Sequence, residues 1–121
     1  INLLSNFRLI RSLDLSLKKS ENPRLYIISS SLTIKRKAYW GAYSISKSGL
    51  EQLAHTWHLE NKKKKVRVFI FHPRPMNTKL RRAAMPGENY EKNQTAHYAA
   101  IKFNKIIHDK NIKERFKIFD L

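Results

Sequence analysis

Three short apolar runs, residues 25–29, 66–71 and 116–120, alternate with three stretches of helical periodicity, and this order leaves few folds open. An apolar run of five or six residues without polar alternation reads as a strand buried on both faces, as in a parallel sheet. Parallel strands need crossovers, and helices supply them. Over residues 1–19, Leu3, Phe7, Ile10 and Leu17 share one stripe, which Leu4, Leu13 and Leu15 widen. Ser20, Glu21, Asn22 and Pro23 end this helix, because the residue before a proline avoids the helical region. A second helix is expected over about 42–61, with Leu50, Leu53, Ala54 and Trp57 on its apolar side. Pro73 and Pro75 close the strand that follows it. Residues 79–95 read as irregular, with a turn at Pro86-Gly87. Thr95 suits the N-cap of a third helix that carries Ala99, Phe103, Ile106 and Ile107. The expected fold is therefore α/β, with three parallel strands and crossover helices in one domain of 121 residues.

Composition narrows the functional classes. At 41% hydrophobic residues the chain can build a core, so disorder is not the expectation. It has no cysteine, which removes disulfides, thiolate nucleophiles and cysteine metal sites, fits a reducing compartment, and makes a cytoplasmic location the expectation. No apolar run approaches the roughly 20 residues that span a bilayer. Arg8, Arg11 and Asp14 interrupt the first apolar stretch, so it does not read as a signal peptide. The chain starts at Ile1 without an initiating methionine and reads as part of something longer. Twenty-five Lys and Arg against nine Asp and Glu give a net charge of +16, a balance that attracts phosphate polyanions and anionic surfaces. A nucleic-acid reader concentrates its charge on a motif. Here the cations are scattered, and the dense run from Lys62 to Lys65 reads as a solvated turn between a helix and a strand. A basic module for nucleic acid or an anionic surface is the alternative function, and a remnant without activity is the third; no specific nucleic acid is expected.

In a parallel sheet, ligands bind beyond the carboxyl ends of the strands. Two loops then matter, the one after Ser29 and the one after Phe71. The stretch Tyr43-Ser44-Ile45-Ser46-Lys47 puts a phenol and an ammonium four residues apart, on one helix face. A free phenol titrates near pH 10, with roughly that pKa in model peptides, and a neighbouring cation favours its phenolate. The pair is suited to general acid/base work. Ser29, Ser30 and Ser31 follow the first strand and place a hydroxyl where a carbonyl oxygen could be held.

The surrounding residues give this pair its context. Ile27-Ile28-Ser29-Ser30-Ser31, followed by Tyr39-Trp40-Gly41-Ala42-Tyr43-Ser44-Ile45-Ser46-Lys47-Ser48-Gly49-Leu50-Glu51-Gln52-Leu53, closely resembles the active-site region of short-chain dehydrogenases/reductases. Val66-Arg67-Val68, Pro73 and Thr78 resemble that family's next strand and its proline-glycine…threonine loop, and Asn2 falls at the family's helix asparagine. The resemblance covers nearly the whole chain and is weakest between Arg81 and Thr95. It implies a partial domain over 1–121, the C-terminal half of a Rossmann-like doubly wound parallel sheet, with the nucleotide-binding N-terminal half absent. It implies hydride transfer between NAD or NADP and a small-molecule alcohol/carbonyl pair. Tyr43 would exchange the substrate proton, Lys47 would tune the phenol and hold the nicotinamide ribose, and Ser30 would bind the substrate oxygen. Asn2 would hold a relay water, and Pro73 and Thr78 would contact the cofactor. Family helices at 1–19 and 42–60 also build subunit contacts, so a homo-oligomer is expected.

The sequence departs from the family pattern in two places. The glycine-rich phosphate loop is absent, and Pro73-Arg74 stands where the family has proline-glycine. Arginine cannot give the backbone the freedom that glycine does. The chain is thus expected to be inactive alone. Glu51, His55 and His58 lie on one side of a helix; three ligands on one helix converge poorly on a metal, so they read as exposed and no metal site is expected. His72, His97 and His108 show no partner, and Trp40 and Trp57 read as core or interface residues.

Overall fold

The structure, a computed structural model, describes residues 2–121. Seven main elements follow one another: α1 (Leu4–Lys19), β1 (Arg24–Ile28), α2 (Gly41–Glu60), β2 (Arg67–His72), α3 (Lys79–Ala84), α4 (Ala96–His108) and β3 (Phe116–Asp120). The three strands form one parallel sheet in the order β1-β2-β3. Arg24 lies opposite Arg67, and Val68 opposite Phe116. The expected order and strand direction are those observed. The stretch 79–95 is more ordered than its sequence implies: it holds α3 and a single 3-10 turn at Tyr90–Lys92. Two local side-chain caps account for this, Thr78 accepting from the Arg81 amide and Asn89 from the Glu91 amide. Among the described residues no helix is long and apolar enough to cross a membrane.

β2 explains why the sheet has two cores. Successive strand side chains point to opposite faces. Val68 and Ile70 join Ile27, Leu50, Ala54, Trp57 and Ile10 beneath α1 and α2. Phe69 and Phe71 join Leu121 on the other face, with Phe103, Ile106 and Phe119 packed around them. Phe71 and Phe103 meet edge-on with ring centroids 4.4 Å apart, and Phe71 stacks on Phe119 at 5.3 Å. Helices therefore cover both faces, as the continuous apolar runs require.

α1 is tied down along only part of its stripe. Ile10 is buried and Leu17 packs against the core, but Leu3 and Phe7 stay exposed, contrary to their expected core role. The Trp57 indole donates to Asp14 Oδ1 at 2.8 Å and links α1 to α2. At Gly49 the helices approach so closely that an added Cβ would lie 3.0 Å from a Leu3 methyl. α2 ends where the Asn61 side-chain amide donates to the Trp57 carbonyl, satisfying one last-turn acceptor.

Candidate active site

The carboxyl ends of β1 and β2, their following loops and α3 enclose a cleft of about 440 Å3. Ser30, Tyr43, Pro73 and Thr78 all line it. Tyr43 reaches it from the first turn of α2. That helix starts after Tyr39, whose φ of 68° is unusual for a bulky side chain and reverses the chain into Trp40. Trp40 and Tyr43 meet edge-on at 5.6 Å along the wall of the cleft. Trp57 is core as expected, whereas Trp40 is half-buried and faces this space.

Lys47 sits one turn beyond Tyr43, with its ammonium 6.0 Å from the phenol ring centroid. It donates to the Ile28 carbonyl at 2.9 Å, so the last residue of β1 fixes its position. Burial pushes the Lys47 ammonium below the usual lysine range, and the Glu51 carboxylate opposes that shift. Ser30 Oγ accepts from the Leu32 amide at 3.3 Å and caps the turn Ser31–Thr33. Thr78 Oγ1 accepts from the Arg81 amide at 3.2 Å. Both hydroxyls thus have their orientation set by backbone donors. Arg74 is held through its main chain: its amide donates to the Leu121 carbonyl at 2.7 Å, and its carbonyl accepts from Gln94 Nε2 at 3.2 Å.

Asn2 stands apart. It is exposed and lines a separate, mostly apolar groove of about 850 Å3 between α1 and α2. Tyr43 and Ser46 line that groove as well, so Asn2 shares a groove with Tyr43 and none with Ser30 or Thr78.

Glu51 and His72 make contacts that their sequence positions do not reveal. Glu51 Oε1 accepts from Ser29 Oγ at 2.5 Å and lies 2.7 Å from His72 Nε2. His72 is fully buried, and Asp120 Oδ1 approaches its Nδ1 to 3.3 Å without hydrogen-bond geometry. Glu51 is therefore not an exposed helix residue: it ties the ends of β1 and β2 to α2 beneath the serine loop. His58 is also buried rather than exposed, against Phe116 at 5.5 Å. Burial pushes its imidazole below the usual histidine range, and the nearby His55 and Lys62 act in the same direction. Among the described residues no three His, Cys, Asp or Glu side chains form a group that could hold a metal. Period-two counting puts Ser29 with Ile27 and His72 with Ile70 on the α2 face, while their contact with Glu51 depends on how α2 packs on the sheet.

The family model for short chain dehydrogenases matches residues 1–89. The chain belongs to the short-chain dehydrogenase family. A short chain dehydrogenase of Salmonella enterica serovar Typhi superposes with a TM-score of 0.88 at 28% identity, covering 99% of this chain and 49% of that one. One from Shigella flexneri gives 0.89 at 28%, covering 99% and 47%. One from Escherichia coli CFT073, solved with NADPH, gives 0.88 at 28%, covering 99% and 50%. The chain thus spans about half the length of these family members. No curated protein matches it. Tyr43, Lys47 and Ser30 lie within the family match, as do Asn2, Pro73 and Thr78.

Proposed function

We propose that this chain carries the proton-transfer part of an NAD(P)-dependent oxidoreductase that interconverts alcohols and carbonyl compounds. The observation behind this reading is the single cleft at the strand ends, which collects Ser30, Tyr43 and Thr78 from three separate segments. In reduction, Tyr43 gives its phenolic proton to the oxygen of the substrate carbonyl, and Ser30 Oγ–H donates to that oxygen as it gains charge. Lys47, with its ammonium 6.0 Å from the phenol ring, stabilises the phenolate left behind. Asn2, on the other side of Tyr43, holds a water through which the phenolate regains its proton. NAD or NADP, when bound, supplies or accepts the hydride.

The residues present fit one end of that cofactor. Lys47 is half-buried, one turn beyond Tyr43 and outside the cleft's lining, and Thr78 lines the cleft, which suits a ribose and a nicotinamide, with Tyr43 and Pro73 completing the contact. They do not fit the pyrophosphate. That group needs close backbone approach at glycines, and no described glycine adopts positive φ. By this reading the chain alone neither binds a dinucleotide nor transfers hydride. It works on small molecules, in the cytoplasm, within an assembly that covers the exposed apolar stripe of α1 and the neighbouring face of α2.

The test is to measure nicotinamide-cofactor binding and turnover for this chain, and for a fusion that joins a related family front half to Ile1 with Arg74→Gly. The chain is expected to be silent and the fusion active. In the fusion, Tyr43→Phe should leave cofactor affinity unchanged and reduce kcat by about 10²–10⁴-fold, the usual contribution of a positioned acid/base group. A fusion that binds cofactor and turns over equally well with phenylalanine removes Tyr43 from its role.

A further inference from the structure

The cleft is lined by both cationic and apolar side chains. Lys37, Arg74 and Arg81 line it, and no carboxylate does. Arg81 is already neutralised from behind, with its Nε 2.7 Å and its Nη2 2.5 Å from the Glu88 carboxylate. The same carboxylate also feels the charge of Lys37. Among the described residues neither Arg74 nor Lys37 is ion-paired. Arg74 is moreover anchored by hydrogen bonds on both sides of its peptide, to Leu121 and Gln94, so its guanidinium departs from a fixed point at the rim. Lys37 lies over the Trp40 ring, 5.9 Å from its centroid. Trp40, Met76 and Leu80 supply the apolar surface. A concave site with one sign of charge concentrates ligands of the other sign, and about 440 Å3 is within the ordinary range for small-molecule sites.

We infer that the cleft selects a carbonyl compound bearing an anionic group: Arg74 and Lys37 hold the anion, and an apolar body lies against Trp40 and Leu80. This substrate class rests on the oxidoreductase reading for its carbonyl and on the cleft alone for its charge. The arginine that departs from the family pattern becomes, in this view, a specificity-determining residue.

The experiment uses the chain as it stands and follows its two indole N–H signals by heteronuclear NMR. Trp40 lines the cleft, whereas Trp57 is buried and donates to Asp14, so it serves as the internal control for folding. The probes are benzoylformate, its neutral amide and inorganic phosphate. Benzoylformate should shift the Trp40 signal and not that of Trp57. The amide should bind about tenfold more weakly, the loss expected for a charge-assisted contact. Arg74→Gln combined with Lys37→Gln should abolish that preference while the Trp57 signal stays in place. Equal affinity for acid and amide overturns the inference, as does a Trp40 signal that no probe moves. Phosphate binding as tightly as benzoylformate also overturns it, because the site would then read charge alone. The completed fusion, made with Arg74 retained as well as with Arg74→Gly, separates the two proposals. If the chain prefers the acid but the fusion reduces neither benzoylformate nor acetophenone, the anion site stands and the oxidoreductase reading falls. If the fusion reduces acetophenone and the chain shows no preference for the acid, the outcome is the reverse.

Discussion

Glu51 holds two strand ends with one carboxylate oxygen, and it also supports the charge of Lys47 one turn earlier on α2. Burial lowers the affinity of Lys47 for its proton and Glu51 raises it, so the two effects compete at the residue meant to act on Tyr43. Glu51→Gln removes the opposing charge while keeping the shape. The Lys47 ammonium should then titrate at still lower pH, which a side-chain NMR titration would read directly; an unchanged or higher midpoint contradicts the coupling. Tyr43 and Lys47 were legible in the sequence because their contact is local, four residues apart on one helix. Glu51 and His72 were not, because their contact joins two elements. Helical periodicity alone put Glu51 with His55 and His58, and only the alternation along β2 turns His72 toward it.

At the scale of elements, α2 is the most informative segment. Leu50 and Ala54 on its inner side are buried at 2% and 0% exposure, beneath Ile27 and Ile70. Leu50→Ala should cost about 2–5 kcal/mol, the lost transfer energy plus the cavity left behind, seen as a lower denaturant midpoint at unchanged slope. The spacing of these residues was readable because an apolar stripe has one period. α3 was not, since six residues give too little periodicity and its order comes from Thr78 and from Arg81, whose guanidinium grips Glu88. The Arg81 contact pulls the Glu88 carboxyl down to about 2, with help from Asn93. A depressed carboxyl contributes order that is full above its unfolded pKa and lost as pH falls through the folded one. The Arg81–Glu88 clasp should therefore survive to pH 3 and release as pH passes about 2, with a Glu88 side-chain titration as the measurement.

The whole molecule carries +16, and its densest cations lie far from the cleft: the turn Lys62–Lys64 and Lys65 precede β2, at the opposite end of the strands. Binding to duplex DNA should be weak, indifferent to base sequence and steeply lost as salt rises, because it would act through counterion release. A titration at two salt concentrations with two unrelated sequences checks this, and a large sequence preference at physiological salt reverses it. The exposed area is 8844 Å2, whereas a compact monomer of 14.3 kDa is expected near 6,800 Å2, roughly, from the size scaling of folded monomers. The excess, about 2,000 Å2 on one chain, is more than the roughly 800 Å2 that each partner contributes to a standard interface, and Leu4, Phe7 and Leu9 are among the exposed apolar residues. The sheet register has a consequence in time rather than in energy. Every strand pairing joins residues more than forty positions apart, Arg24 with Arg67 and Val68 with Phe116. No hairpin can form early, so refolding should begin in α2, where Tyr43 and Lys47 come together within microseconds, the range of helix formation. Pro73 and Thr78 can join them only after β2 has docked, a slow non-local step during which both strand edges are open to other copies of the chain.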